Sequence, residues 1–212
     1  MNSIQRFCSA ALLASACALP AGATTLAPLT VDQMTDASDL IVRGHVTDVW
    51  TELDDHNHLW TRAEVEVTEG LKGTVAPGDV VIVDAAGGID ADGSVHDVAL
   101  AARYAKGEDV FLFLAETRFG AHYDTVAMSN GKFTVKQDPR DGALMVVKFT
   151  VPYTQPWDPR FVPNPSPERR VSLKAIEALV SARVQLGWDG KPIPGVSGDK
   201  LRTINHLQAG VR

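Results

Sequence analysis

The sequence predicts a mainly β protein: a small OB-like, Greek-key β-barrel with a short N-terminal helix, and a C-terminal helix after a proline-rich linker. Three observations carry that expectation. Between Asp39 and Val83, three strand-like runs follow one another, separated by turn residues. The run Asp109-Val-Phe-Leu-Phe-Leu-Ala115 is the most apolar stretch after residue 23 and belongs at the centre of a core. Six prolines between Pro152 and Pro167 make that stretch stiff and extended rather than packed.

The chain opens with a leader-like segment. Arg6 supplies a positive charge, Ala10 to Leu19 an apolar run, and Ala21-Gly22-Ala23 a small-residue cleavage pattern. The expectation is a secretory signal over 1–23, cut between Ala23 and Thr24, and an exported protein, periplasmic or extracellular. Cys8 and Cys17 both fall inside that segment, so the chain from Thr24 onward has no thiol and no disulfide. Ala14-Ser15-Ala16-Cys17 loosely echoes a lipoprotein box but lacks the usual leucine three residues before the cysteine.

From Thr24 the expected organisation is a β-barrel domain over 24–151, a proline-rich linker over 152–171, and a C-terminal helix and tail over 172–212. Thr30-Val-Asp-Gln33 has the spacing of a capping box, in which Thr30 and Gln33 each satisfy the other's backbone amide. Leu40 to Trp50 is the first strand, with Gly44 marking a bulge or sharp bend. Asp54 to His58 forms a polar tip. Beyond it, Thr61, Ala63, Val65 and Val67 alternate with Arg62, Glu64, Glu66 and Thr68, which is a strand with one buried and one wet face. Glu69 to Gly73 and Pro77-Gly78 break the chain, and Val80 to Val83 reads as a third, fully apolar and central strand.

Ala85 to Ser94 is expected to be a loop, and Leu100 to Tyr104 a helical turn or irregular strand. Lys106-Gly-Glu108 turns into the apolar run at Asp109. Tyr123 to Met128 reads as a strand. Ser129-Asn-Gly131 carries the Asn-Gly pair of a type I′ hairpin, answered by Phe133 to Lys136. Asp138 to Gly142 is another turn, before a strand from Leu144 to Val151. Ser172 caps the C-terminal helix, with Val171 and Ile176 as a hydrophobic staple. Its stripe is Leu173, Ile176, Leu179, Val180 and Val184, Gly187 stops it, and docking on the barrel buries it. Leu201 to Leu207 is a candidate last helix.

Composition limits the functional classes. The 212 residues are 45% hydrophobic and 22% charged, ordinary for a globular domain, with a net charge of −6, or −7 without Arg6. An acidic chain lacks the electrostatic footprint of a nucleic-acid binder. No apolar run is long enough to span a bilayer.

The pattern Asp39-Leu-Ile-Val-Arg-Gly-His-Val, then Glu64-Val-Glu-Val-Thr-Glu-Gly-Leu-Lys-Gly73, then Gly107-Glu-Asp-Val-Phe-Leu-Phe-Leu114 resembles a widespread group of secreted bacterial proteins. In order it is also similar to the netrin-like domain of tissue inhibitors of metalloproteinases, over about residues 37–136. That resemblance implies a closed five-stranded Greek-key barrel. The inhibitors act through an amino-terminal cysteine that chelates the protease zinc. Here Thr24-Thr25 stands at the expected start, so the inhibitory chemistry does not transfer residue by residue.

Candidate chemistry is sparse. His56 and His58 flank Asn57 beside Asp54 and Asp55, a cluster able in principle to hold zinc or copper. His45, His96, His122 and His206 are isolated. Asp90-Ala-Asp92-Gly-Ser94 faintly echoes a calcium loop, but Ala101 stands where its last carboxylate belongs. Ser94, His96 and Asp97 are close in sequence, which says nothing about a triad. Nucleophile-elbow, zincin, P-loop and dinucleotide motifs do not occur. Trp50 and Trp60 flank the first hairpin, where OB folds often contact ligands. The expectation is therefore a non-enzymatic, exported binding protein of unknown ligand, a protein or a small molecule, requiring no cofactor. Its contact surface is Trp50, His56, His58 and Trp60. Two alternatives remain open: an inhibitor or regulator of a secreted metalloprotease, and a metal-binding protein or metal-dependent enzyme using the His56/His58 loop.

Overall fold

The computed structural model describes residues 29–117, 121–148 and 169–201. The expected signal segment, the Thr24-Thr25 start, both cysteines and the proline run 152–167 lie outside the described residues. Helix α1 (Val31–Ala37) begins at the expected capping box, with Thr30 Oγ1 accepting from Gln33 N and Thr30 N donating to Gln33 Oε1. Strands β1 (Leu40–Leu53) and β2 (Leu59–Lys72) form a long hairpin. Strand β2 runs through Gly70 and Leu71, so the break expected from Glu69 begins only at Gly73. Pairing of Val42 with Gly70 and of Ile41 with Lys72, across a register shift between Ile41 and Val42, keeps it in the sheet. The bend at Gly44 is real: the register shifts between Arg43 and Gly44, and a Cβ there would lie 2.6 Å from Glu66 O and Val65 Cγ1.

Strand β3 (Val80–Ala86) follows, with β4 (Gly88–Ile89) and β5 (Val95–His96) as a short ribbon inside what reads as a loop in the sequence. Strand β3 is central in pairing but not buried on both faces. Val81 and Val83 point inward, while Val80 is exposed and Ile82 half-buried. Leu100 to Tyr104 forms neither a helical turn nor a strand. Next come β6 (Asp109–Glu116), β7 (His122–Thr125), a 3₁₀ turn (Met128–Gly131), β8 (Lys132–Gln137), β9 (Leu144–Lys148), β10 (Arg169–Ser172) and helix α2 (Leu173–Leu186).

Pairing runs β1-β2-β3-β7-β6 and returns from β6 to β1, which makes the five-strand OB-like ring. Its closing pair, β3 with β7, is parallel and only three residue pairs long. One edge of β6 pairs with β1 along Asp109 to Leu114; its other edge is shared between β7 and β8. The expected Asn-Gly hairpin is therefore overturned. Strands β7 and β8 do not pair with each other but lie end to end along β6. Positive φ falls on Ala127 and Met128, not on Asn130 and Gly131. Gly131 is needed for another reason: a Cβ would lie 2.7 Å from Phe113 O and 2.8 Å from Val126 O.

Two cores result. Val110, Leu112 and Leu114 of β6 point into the ring, with Leu40, Val42 and Val46 of β1, Ala63, Val65 and Val67 of β2, and Val81 and Val83 of β3. Phe111 and Phe113 point the other way, onto α1, α2, β8 and β9. Burial on both faces is why the run is apolar without alternation. Helix α2 docks through Leu173, Ile176 and Val180, as expected, but Leu179 is exposed. Ser172 sits at its N-cap without a side-chain cap bond, and Val171 is an exposed member of β10. Gly187 ends the helix at φ 72°. A helical turn begins at Gly198 and reaches Leu201, where the described residues end.

Charged side chains fasten the two helices to each other and α1 to the ring. Asp36, at the C-terminal end of α1, receives a forked pair from Arg183 of α2, Nε at 3.0 Å and Nη2 at 2.6 Å. Lys72 is buried at the end of β2 and donates to Thr35 O at 2.6 Å, satisfying a carbonyl of α1's last turn.

Candidate functional site

The β1–β2 hairpin reaches beyond the ring, and its regular register near the tip sorts its side chains onto two faces. Trp50 lies opposite Arg62 and Glu52 opposite Trp60, so all four share one face. The next strands extend it. Arg62 pairs with Asp84, which pairs with Asp124; Glu64 pairs with Ile82, which pairs with His122; Trp60 pairs with Ala86. The outer wall of β1, β2, β3 and β7 thus carries two tryptophans, an arginine, a histidine and several carboxylates.

A chain of polar contacts crosses these four strands. Arg62 Nη1 lies 2.5 Å from Glu52 Oε1, Arg62 Nε lies 3.4 Å from Asp84 Oδ1, and His122 Nδ1 lies 3.2 Å from Asp84 Oδ2. The Arg62–Asp84 approach is within ion-pair range but poorly aligned, so Arg62 Nε and Asp84 Oδ1 are each buried without a hydrogen bond. Although Asp124 is exposed, partial desolvation by the atoms around it, followed by the Asp84 charge, raises its carboxyl above the ordinary range, against the pull of Lys200. Trp50 Nε1 donates to Glu52 Oε2 at 3.0 Å, and Trp60 Nε1 to Asp54 Oδ2 at 3.1 Å. Both indoles are therefore half-buried and oriented by a carboxylate at their polar edge.

Asp54 organises the hairpin tip. Its Oδ1 accepts from His58 N at 2.8 Å and His56 N at 2.9 Å, and its Oδ2 faces His58 Nδ1 at 3.2 Å. The backbone bond from His58 is the main reason this carboxylate is held well below the usual range. Asn57 adopts φ 62° at the apex. The rings of His56 and His58 stack at 6.1 Å. Among the described residues, no three His, Cys, Asp or Glu side chains converge as a metal-ligand group.

The four residues expected from sequence thus divide. Trp50 and Trp60 come together on the outer face; His56 and His58 sit at the tip, bound into an Asp54-centred turn. Arg62, Asp84, His122 and Asp124 were not singled out as site residues. Arg62 was legible as the wet side of an alternating strand. His122 had no local signal, because the parallel β3–β7 pairing is what carries it to Asp84. His45 pairs with Asp109 at 2.8 Å, and the Asp90–Ser94 stretch turns the β4–β5 ribbon, Asp92 Oδ1 accepting from Ser94 N. The cavity of about 240 Å³ between α1 and the segment after α2 is lined in part by Thr30, Asp36, Arg183 and Lys191, and belongs to the helix-docking contact. No helix among the described residues is long and apolar enough to cross a membrane. No protein-family model matches the chain, and no curated protein matches its sequence.

Proposed function

We propose that this chain is an exported, non-enzymatic binding protein whose ligand face is the outer wall of β1, β2, β3 and β7. The observation that carries the reading is the placement of Trp50 and Trp60 beside the Glu52–Arg62–Asp84–His122 chain on a single face. The ring interior is filled by aliphatic side chains, so recognition falls to an outer surface. Half-buried indoles offer flat apolar area at low entropic cost, and the flanking carboxylates, guanidinium and imidazole offer directional polar contacts. Asp48, Glu52, Glu64 and Asp84 outnumber the cations on this face, so a polyanion is disfavoured. The ligand class that fits is neutral and hydroxyl-rich, such as an oligosaccharide. Export follows from the leader pattern of Arg6, Ala10 to Leu19 and Ala21-Gly22-Ala23.

Tryptophan fluorescence tests the reading. The protein is titrated with chitohexaose, maltohexaose and poly-dT. A saturable change is expected with a neutral oligosaccharide and none with poly-dT. Trp60→Ala should weaken the binding about tenfold or more, the size of a lost stacking contact. Silence across the oligosaccharides, or calorimetric binding that survives a Trp50→Ala, Trp60→Ala double variant, would remove this face as the site. Recovery of exported protein beginning at Thr24 is the expected outcome for the leader.

A further inference from the structure

The second face of the β1–β2 hairpin is built differently. Thr51, Leu53, Leu59 and Thr61 alternate with the Trp50 and Trp60 side, and against them lies the β4–β5 ribbon. Thr51 Oγ1 donates to Ile89 O at 2.8 Å, Thr61 Oγ1 to Gly87 O at 2.7 Å, and Gly87 N to Leu59 O at 2.8 Å. The approach is so close that a Cβ on Gly88 would lie 2.6 Å from Thr61 Oγ1 and 2.7 Å from Thr51 Cγ2. A Cβ on Gly87 would meet Val98 Cγ2 at 3.1 Å. Gly88 thus lets the ribbon press onto the hairpin over Leu59, Gly87 lets the ribbon's two strands close at His96 O, and the ribbon's own apolar side chains face solvent. Ile89 is 59% exposed and Val95, paired with it, 71%; Leu53 and Val98 are also exposed.

A polar loop would satisfy a merely structural role here, whereas exposed Ile and Val on a pinned ribbon leave an apolar knob in water. Its surroundings are acidic. Asp55, Asp90 and Asp92 lie at the hairpin end and on the ribbon's turn, and no lysine or arginine occurs between Arg43 and Arg62 or between Lys72 and Arg103. Arg103, the next cation along the chain from the ribbon, is held by Asp97. The patch therefore combines apolar contact area with unneutralised negative charge.

We propose that this end of the barrel is a protein-docking surface for a cationic amphipathic segment of a partner. Apolar side chains of that segment cover Ile89, Val95, Leu53 and Val98, and its lysines or arginines meet the surrounding aspartates. Charge complementarity of this kind speeds encounter and selects the partner, while the apolar knob supplies the held area. The site is separate from the tryptophan face and does not depend on it.

The test uses the full-length protein and two synthetic peptides, one alternating leucine with lysine and one alternating leucine with glutamate, followed by calorimetry. The Leu/Lys peptide is expected to bind and the Leu/Glu peptide not. An Ile89→Ser, Val95→Ser double variant should lose about tenfold or more, since both residues are exposed and their loss leaves the fold intact. Asp90→Asn with Asp92→Asn should lose less, and raising salt should weaken the wild type toward that variant. Equal binding of both peptides, or unchanged binding by the Ile89/Val95 variant, overturns the proposal. So does sedimentation showing that this variant abolishes self-association of the wild type, which would make the occupant a second copy. Binding of the wild type to anionic phospholipid vesicles without peptide binding overturns it equally. None of these readouts uses the tryptophan face, so failure here and failure of the oligosaccharide titration are told apart.

Discussion

The two cores that share β6 differ in kind. The ring interior is built from Leu, Val and Ala of four strands and contains no aromatic ring among its buried residues. The outer core is aromatic and assembled from distant pieces: Phe111 and Phe113 tilt against each other at 5.5 Å, Phe133 meets Phe113 edge-on at 6.0 Å, and Met34, Ile176, Val180 and Leu201 close over them. A strongly curved five-strand ring leaves room for short branched side chains, whereas a helix on a sheet leaves a wider gap that aromatics fill. The difference teaches that the barrel alone is half a fold. Its central strand is apolar on both faces and needs α1 and α2 to cover the second.

The sharpest way to break that comparison is Phe113→Ala, which opens the outer core while leaving the ring interior intact. A loss of about 3–5 kcal/mol in denaturant unfolding is expected. Because β6 belongs to both cores, circular dichroism and tryptophan fluorescence should report one transition; two separated transitions would show that the ring is stable without its helices.

Removing the ionic fastening comes next. Asp36→Ala removes the forked partner of Arg183 and leaves it Asp189 at 3.5 Å, and a cost of about 2 kcal/mol is expected from the lost charge-assisted hydrogen bonds. Asp36→Ala with Arg183→Met should recover much of it; failure to recover would mean that the pair is not what holds the helices.

Lys72 links the two cores through pH. Burial, partly offset by Asp36 and Asp39, lowers its amine to about 8. The folded chain therefore releases this proton near pH 8, while the unfolded chain holds it to about 10.4. Across that window the unfolded state binds more protons, so stability rises with pH, by up to about 3 kcal/mol. Lys72→Met should abolish the rise in urea midpoints measured from pH 7 to 10; a wild-type curve with no such rise would remove Lys72 from the account.

The smallest effect is at the edge of the outer core. Thr30→Ala removes one half of the capping box of a seven-residue helix and should cost about 1 kcal/mol. Thr30→Ser should retain most of the stability, and an alanine variant as stable as wild type would make the cap dispensable.

The ring was largely legible because its signals are local. The Ala63, Val65 and Val67 alternation and the glycine bend at Gly44 each depend on neighbours a few residues away. The outer core was legible only in part. Helix α2 and its stop at Gly187 were readable, yet β10, β4 and β5 were missed, being four residues or fewer and supported by contacts rather than by pattern. The Asn130-Gly131 pair misled because a dipeptide that suits a type I′ turn suits equally a place where backbone must approach Phe113 O. Of the candidate site, Trp50 and Trp60 could be named from the sequence as flanks of one hairpin. Their sharing a face with Asp84 and His122 could not, since nothing in a sequence announces a three-residue parallel pairing.

By itself, then, the sequence determined the class of the fold, the wet and dry faces of its long hairpin, the start of α1 and the absence of cysteine chemistry after residue 23. These are consequences of side-chain period, turn chemistry and composition, all of which act over a few residues. The tertiary structure decided which strands close the ring, that β6 serves two cores, and which polar side chains meet across four strands. Those depend on register and crossover between segments tens of residues apart, where packing of the whole selects among pairings that local preference leaves nearly equal.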